Sequence, residues 1–262
     1  MKVDCISDLH GFYPNLEGGD LLIIAGDMTA CDDTAGWLRF YKWINNQKYK
    51  KVVFIAGNHD HALEGLIPGS SKPKSEMDFD YLCDSGTEFE GVKIWGSPWS
   101  LWFAGINKRC TAFTGSEEDL KSKWDLIPKD TNILITHSPP YGILDETDDG
   151  RHVGSWYLRC LVTSSYFQNL NLHAFGHIHE CGGRLLDTQT TKFVNASYVN
   201  EDYKPVNQVM QFELYDKSNH MECGHCEQLI ARRTVNQKYC HLCSPIVNKK
   251  KRQENKIQRA CH

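Results

Sequence analysis

The chain has 262 residues, 40% of them hydrophobic and 24% charged, with a formal net charge of -4. That length suits one sizeable core with a small appendage and is too short for two full enzyme domains. Mild acidity excludes a blanket attraction to nucleic acid or anionic lipid, and no run approaches the roughly 20 apolar residues that span a bilayer.

The amino terminus, 1-MKVDCISDLHG-11, enters a strand-like pattern at once and lacks the apolar stretch and cleavage site of a secretory signal. Eleven cysteines, mostly scattered singly, read as reduced thiols, so a cytoplasmic location is expected. Short apolar runs at 3-VDCIS-7, 21-LLIIAG-26, 52-VVFIAG-57, 92-VKIWGSP-98 and 132-NILITH-137 predict buried strands, each closing on a glycine or polar residue. Residues 34-TAGWLRFYKWINNQ-47 place Trp37, Leu38, Tyr41 and Ile44 at helical spacing. Strand, loop, helix, strand is the opening rhythm of an α/β sandwich.

From Pro98 to about Pro128 the pattern is irregular, and Trp99, Trp102, Phe103 and Phe113 either wall a cleft or pack a long loop. A helix is predicted within 154–171, then a strand at 172-LHAFGH-177. The segments 183-GRLLDTQ-189, 191-TKFVNAS-197 and 207-NQVMQFEL-214 read as a second, partly antiparallel sheet that completes a main domain, residues 1–216.

Five polar clusters sit where apolar runs end. Asp8 and His10 in 6-ISDLHG-11 are alternate residues that can face one cation. Asp27 follows in 24-IAGDMT-29, where one carboxylate can bridge two cations. Asn58, a neutral oxygen ligand, precedes His59 and Asp60 in 56-AGNHDH-61. His137 ends the run 133-ILITH-137, and His177 and His179 alternate in 175-FGHIHECGG-183. Burying so many polar groups without a shared partner is costly, so their convergence favours a metal site.

In this order the motifs resemble the calcineurin-like metallophosphoesterase superfamily: Asp-x-His, Gly-Asp, Gly-Asn-His-Asp, a histidine after a strand, then Gly-His-x-His. The likeness covers about residues 1–215 and, through 136-THSPPYGILD-145 and 193-FVNASYV-199, is closest to a metallophosphoesterase-domain branch that includes cyclic nucleotide phosphodiesterases. Some members of that branch lack a histidine of the final pair, whereas this chain keeps both; Ser138 stands where the branch often has glycine. The resemblance implies a four-layer α/β/β/α sandwich and two divalent cations, manganese, iron, nickel or zinc. One would be held by Asp8, His10, Asp27 and His179, the other by Asp27, Asn58, His137 and His177. It also implies hydrolysis by a metal-bridging hydroxide, of a phosphodiester rather than a monoester.

His59 is expected to act as general acid or phosphate contact, with Asp60 orienting its imidazole. His61 is expected to be structural or at the surface, and Arg109, Arg151 and His152 to face solvent. The expected substrate is a cyclic nucleotide or another small nucleotide diester, with no membrane partner.

Residues 217–262 carry Cys223-x-x-Cys226 and Cys240-x-x-Cys243, spaced as a four-cysteine zinc-ribbon-like knuckle around one structural zinc. The basic run 249-KKKRQENKIQRA-260 beside it leaves nucleic acid as a possible partner. A nuclease guided by this tail is therefore the rival reading, followed by a nucleic-acid-binding module with little turnover. A protein phosphatase is a more distant third, since the chain is short for that branch's substrate grooves.

Overall fold

The computed structural model describes residues 1–65, 78–103, 109–188, 190–214, 220–222 and 229–231. Four parallel strands, β1 (Lys2–Ile6), β2 (Gly19–Ala25), β3 (Tyr49–Ile55) and β4 (Asp78–Tyr81), lie in that order in one sheet. A second sheet contains β5 (Ser85–Phe89), β6 (Val92–Ser97), β9 (Ile133–Thr136), β10 (Leu172–Phe175), β11 (Arg184–Asp187) and β12 (Lys192–Asn195), in the order β11-β12-β10-β9-β6-β5. Its centre is parallel, and β5 and β11 at its two edges run antiparallel to their neighbours. The short strands β7 (Ser100–Leu101) and β8 (Thr114–Gly115) pair with each other.

Alternation along the strands sends one set of side chains outward to helices and the other between the sheets. Leu22, Ile24, Val52 and Phe54 pack with Trp37, Phe40 and Ile44 of α1 (Thr34–Ile44). Leu134, Phe175 and Phe193 of the second sheet pack with Leu120 and Trp124 of α2 (Glu117–Trp124) and Leu158 and Val162 of α3 (Trp156–Val162). The remaining faces meet each other so closely that a Cβ on Gly96 of β6 would come within 2.6 Å of Ile55 Cγ2 of β3. The result is the expected four-layer α/β/β/α sandwich.

Each of α1, α2 and α3 starts at a capping side chain. Asp33 accepts from Gly36 N at 2.6 Å, Ser155 from Leu158 N at 3.1 Å, and Ser116 forms a reciprocal capping box with Asp119. In α1 the buried stripe is Trp37, Phe40 and Ile44, while Leu38 is 65% exposed, so the inward face includes Phe40 in place of the expected Leu38. Burying Phe40 stabilises by about 2–3 kcal/mol, so Phe40→Ala is expected to be strongly destabilising.

Two expectations need correction. The irregular stretch 98–128 contains α2, whose box-capped, charge-rich turns hide a stripe of only Leu120 and Trp124. The helix predicted within 154–171 is α3, which ends at Val162, where the Thr163 and Ser164 hydroxyls turn back onto Arg159 O and Leu161 O at 2.8 and 2.7 Å. The segments after 183 do not form a sheet of their own: β11 and β12 extend the second sheet. β13 (Met210–Glu213) returns to pair with β1, covering what would otherwise be an open edge of the first.

The chain divides into two compact units, Met1–Phe212 and Glu213–His262. In the second, β14 (His220–Glu222) and β15 (Leu229–Ala231) pair antiparallel. Cys223, Cys226, Cys240, Cys243 and the basic run lie outside the described residues.

Candidate metal centre

The polar clusters meet where the strands of both sheets end. After β1, Ser7 N donates to Ala196 O at 2.8 Å, stitching the first sheet to the second, and Asp8 N and His10 N donate to Gly26 O and Asp27 O at 3.0 and 3.1 Å. The exits of β1 and β2 therefore run side by side. Asp8, His10, Asp27 and His177 all adopt left-handed backbone, with φ of 49°, 41°, 54° and 70°. Four non-glycine residues in that sparsely populated region mark a site where side-chain direction is held against local preference. Glycines make room for it: a Cβ at Gly57 would lie 2.2 Å from Asp27 Oδ1, and one at Gly176 would lie 2.0 Å from Asp8 Oδ2.

Asp27 is the hub. Its Oδ2 lies 3.4 Å from His137 Nε2, 3.7 Å from His10 Nε2 and 3.9 Å from His59 Nε2, while Oδ1 accepts from His59 N at 2.9 Å. His137 Nε2 and His177 Nδ1 converge on Asn58 Oδ1 at 3.0 and 2.9 Å. Asp8 Oδ1 lies 3.2 Å from His179 Nε2, and Asp8 Oδ2 accepts from His177 N at 3.0 Å and from Ser197 Oγ at 2.8 Å. Ser197, in the quoted 193-FVNASYV-199, is a contact on Asp8 that the motif order does not announce.

These residues fit divalent cations on three observations. Asp8, His10 and His179, then His10, Asp27 and His59, then Asp8, Asp27 and His137 each gather ligand atoms within 4.8 Å of one another. The buried His10 Nε2 has no hydrogen-bond partner. His137 Nδ1 donates to Ala25 O at 2.8 Å and His179 Nδ1 to Asn200 O at 3.2 Å, which turns each Nε2 onto a carboxylate, the arrangement of a metal-ligating imidazole.

The electrostatics of the protein groups alone are those of a crowded donor set. Burial lowers His10 to about 4 and His177 to about 3. Burial would lower His137 too, but the adjacent Asp27 charge outweighs it and raises that ring to about 9. Burial opposes ionisation of Asp8 and Asp27, and histidines overcome it: His179 and His137 hold Asp8 low, and His137 and His59 hold Asp27 well below the usual carboxylate range.

Asp60 does not orient His59. Its carboxylate accepts from Asp27 N and Gly57 N at 2.8 Å each and from Met28 N at 3.2 Å, so it ties the β2 and β3 exits together from beneath. Burial, and then the Asp27 charge, push Asp60 well above the usual range against the pull of those backbone donors. The sequence places Asp60 next to His59, but consecutive residues of a turn point in different directions. His59 Nδ1 instead lies 3.4 Å from Cys110 Sγ.

A cavity of about 420 Å³ opens over the centre, reached by Asp27, Asn58, His59, His177 and His179. Of the four aromatics left open by the sequence, two wall it and two pack. Trp102, 57% exposed, and Phe103, whose ring stacks on His177 at 6.4 Å and 16°, line the cavity. Trp99 and Phe113 meet edge to face at 5.8 Å in the core. Tyr203, unsignalled by any motif, also lines the cavity and stands edge-on to His10 and His179 at 4.8 and 5.2 Å. Arg151 lines the cavity while paired with Asp149 at 2.7 Å, His152 is bound to Asp145 at 2.7 Å, and His61 bridges Glu64 and Arg109 O at 3.0 Å each.

Residues 1–181 match the calcineurin-like phosphoesterase family. The chain belongs to that family. It is 34% identical over 234 residues to human metallophosphoesterase domain-containing protein 1, covering 80% of this chain and 70% of the relative. It is 32% identical over 215 residues to the UPF0046 protein K07C11.7 of Caenorhabditis elegans, covering 77% and 71%. Phosphopantetheinyl hydrolase from Mycobacterium tuberculosis superposes with a TM-score of 0.48 at 17% identity, covering 82% of this chain and 96% of that one. Membership makes this calcineurin-like phosphoesterase a metal-dependent hydrolase of phosphoesters, with His/Asp groups able to hold the metal.

Proposed function

We propose that this phosphoesterase cleaves a phosphodiester, a cyclic nucleotide or another small nucleotide diester. The carrying observation is the cavity over the Asp27 hub. Among the described residues that line it, Arg151 is the only lysine or arginine, and it is already held by Asp149, while Glu180 and Glu201 add negative charge and Trp102, Phe103 and Tyr203 add aromatic surface. Beyond the cations themselves, that wall offers a dianionic monoester little to neutralise its second charge. A monoanionic diester with a planar substituent suits that wall better.

Asp8, His10, Asp27 and His179 would hold one cation and Asp27, Asn58, His137 and His177 the other, with manganese, iron, nickel and zinc all suited to such mixed nitrogen and oxygen donors. Bound there, the pair supplies an acidified water and draws charge from the phosphoryl oxygens. The protein's own work is positional. Asp60 holds the two loops that carry Asp27 and Asn58, Phe103 limits water over His177, and His59 delivers a proton from Nε2 to the leaving oxygen.

Purified chain loaded with Mn²⁺ or Ni²⁺ tests this against a chromogenic diester, the matching monoester, cyclic nucleotides, and single-stranded DNA and RNA, beside Asn58→Ala. Turnover of the diester and cyclic nucleotides that is lost in Asn58→Ala supports the reading. Undiminished turnover in that variant, or faster cleavage of the monoester, overturns it, and cleavage confined to the polymers moves the assignment to a nuclease.

A further inference from the structure

Three rings line the cavity, and two of them are engaged with the metal-site histidines: Phe103 stacks on His177 at 6.4 Å, and Tyr203 stands against His10 and His179 at 4.8 and 5.2 Å. Trp102 meets no other ring among the described residues and is 57% exposed. Its backbone is fixed all the same. Trp102 N donates to Gly115 O and Ser100 N to Phe113 O, each at 2.9 Å, so the indole stands at the end of the paired β7 and β8, with Leu101 before it packed on the core of the second sheet. An indole held on a rigid backbone with its surface in water gains burial only when a flat ligand covers it. Glu180 lines the same cavity from the single turn His179–Cys181. It is half-buried and makes no hydrogen bond or ion pair among the described residues, whereas Glu201, the other carboxylate of the wall, is exposed. Its turn is held on both sides, by His179 Nδ1 on Asn200 O at 3.2 Å and by the buried Cys181 Sγ on Glu146 O at 3.3 Å. An ionised carboxylate only accepts, so a ligand group that faces Glu180 has to donate.

We propose that Trp102 and Glu180 form a base subsite that selects guanine, the ring stacking on the indole while its N1–H and 2-amino group donate to the carboxylate. The inference rests on the reading of the substrate as a nucleotide diester. The cavity, about 420 Å³, falls within the roughly 300–1,000 Å³ of small-molecule sites. Stacking accepts any base, because every base has a flat face. Selection therefore falls to the carboxylate. Guanine presents two adjacent donors on its pairing edge, which the two oxygens of Glu180 match in a charge-assisted pair. Adenine and cytosine present a donor beside an acceptor, and the ring nitrogen of either would face a carboxylate oxygen with no proton between them. Uracil has a single donor between two acceptors. A site that leaves such a group unpaired rejects the ligand more strongly than one that merely lacks a contact.

Calorimetric titration of the full Mn²⁺-loaded chain with GMP and with AMP tests this without reference to turnover, since the two carry the same phosphate and differ only in the base. The wild type should bind GMP about tenfold more tightly than AMP. Trp102→Ala should weaken both about tenfold and keep their ratio. Glu180→Gln should bring the two within about threefold of each other, because an amide offers one donor and one acceptor and so suits the edge of adenine. A merely structural role for Glu180 would weaken both nucleotides alike. The ratio of kcat/KM for cyclic GMP over cyclic AMP should follow the same order. Equal affinities in the wild type overturn the proposal, as does a preference that survives Glu180→Gln, or a Trp102→Ala chain that binds both nucleotides as the wild type does. Should Trp102→Ala fail to fold, the wild type and the isosteric Glu180→Gln decide. If neither cyclic nucleotide is cleaved while the GMP preference still follows residue 180, the subsite stands and the assigned reaction falls. If both are cleaved with equal kcat/KM, the reaction stands and the subsite falls.

Discussion

The Ser197 hydroxyl reaches Asp8 Oδ2 at 2.8 Å across 189 residues of sequence, and Asn195 Oδ1 lies equally close to the same hydroxyl. Its single proton favours the ionised acceptor, because hydrogen bonds to a charged group are the stronger kind. Ser197 thus holds Asp8 from the second sheet while Asp8 itself leaves the first. Ser197→Ala is expected to weaken binding of the first Mn²⁺ about tenfold with little change in thermal midpoint. Isothermal titration calorimetry on chelator-stripped chain reads this, and equal affinities for the two proteins would remove Ser197 from the site.

Asp60 predicts a different phenotype from its neighbour Asn58. Asp60→Ala leaves three buried backbone N–H groups, those of Asp27, Met28 and Gly57, without an acceptor. Each such loss costs about 1–3 kcal/mol before relaxation, so urea unfolding should show a fall of about 2–4 kcal/mol. Asn58→Ala should weaken metal binding while shifting unfolding far less. If the two variants unfold alike, Asp60 is not the tie between these loops.

His173 sets an acid limit on stability away from the metal ligands. Thr136 Oγ1 donates to Ser138 O at 2.6 Å and so accepts from His173 Nε2 at 2.8 Å, leaving the buried Nδ1 without a partner. Burial lowers this ring from the ordinary 6.5 to about 3. Between those values the unfolded chain binds more protons than the folded one. Stability from the neutral ring is therefore complete above the unfolded value and is lost as pH falls toward the folded one, at about 1.4 kcal/mol per pH unit. Urea unfolding of chelator-stripped wild type and His173→Leu from pH 6.5 down to 4 should give the variant the shallower slope; parallel lines would assign the acid loss elsewhere.

Cys223, Cys226, Cys240 and Cys243 predict one tightly held zinc per chain in addition to the ions of the Asp27 site. Elemental analysis of purified protein should find it lost in Cys223→Ser with Cys226→Ser and retained in Asn58→Ala. Equal zinc content in the two proteins would end the knuckle reading.

The chain order of polar clusters after apolar runs was enough to name the residues that meet: Asp8, His10, Asp27, Asn58, His59, His137, His177 and His179 all reach one place. That much is legible because a buried strand must end, and in a sandwich of parallel strands the ends lie on one side. Two strands whose patterns were read correctly, β12 and β13, still went to sheets the pattern could not name, because alternation shows which residues are buried and not which edge is open to pair with. α2 was invisible since its inward stripe is two residues long. The Asp60 side chain departs from its expected place for a similar reason. Adjacency in 57-GNHD-60 suggested that Asp60 serves His59, yet three backbone donors hold that carboxylate, while a cysteine 51 residues away supplies the contact. Sequence determined the donor chemistry, since residue type fixes what an atom can bind; tertiary structure decided which donor faces which, since direction in space is set by packing between segments that the chain does not keep adjacent.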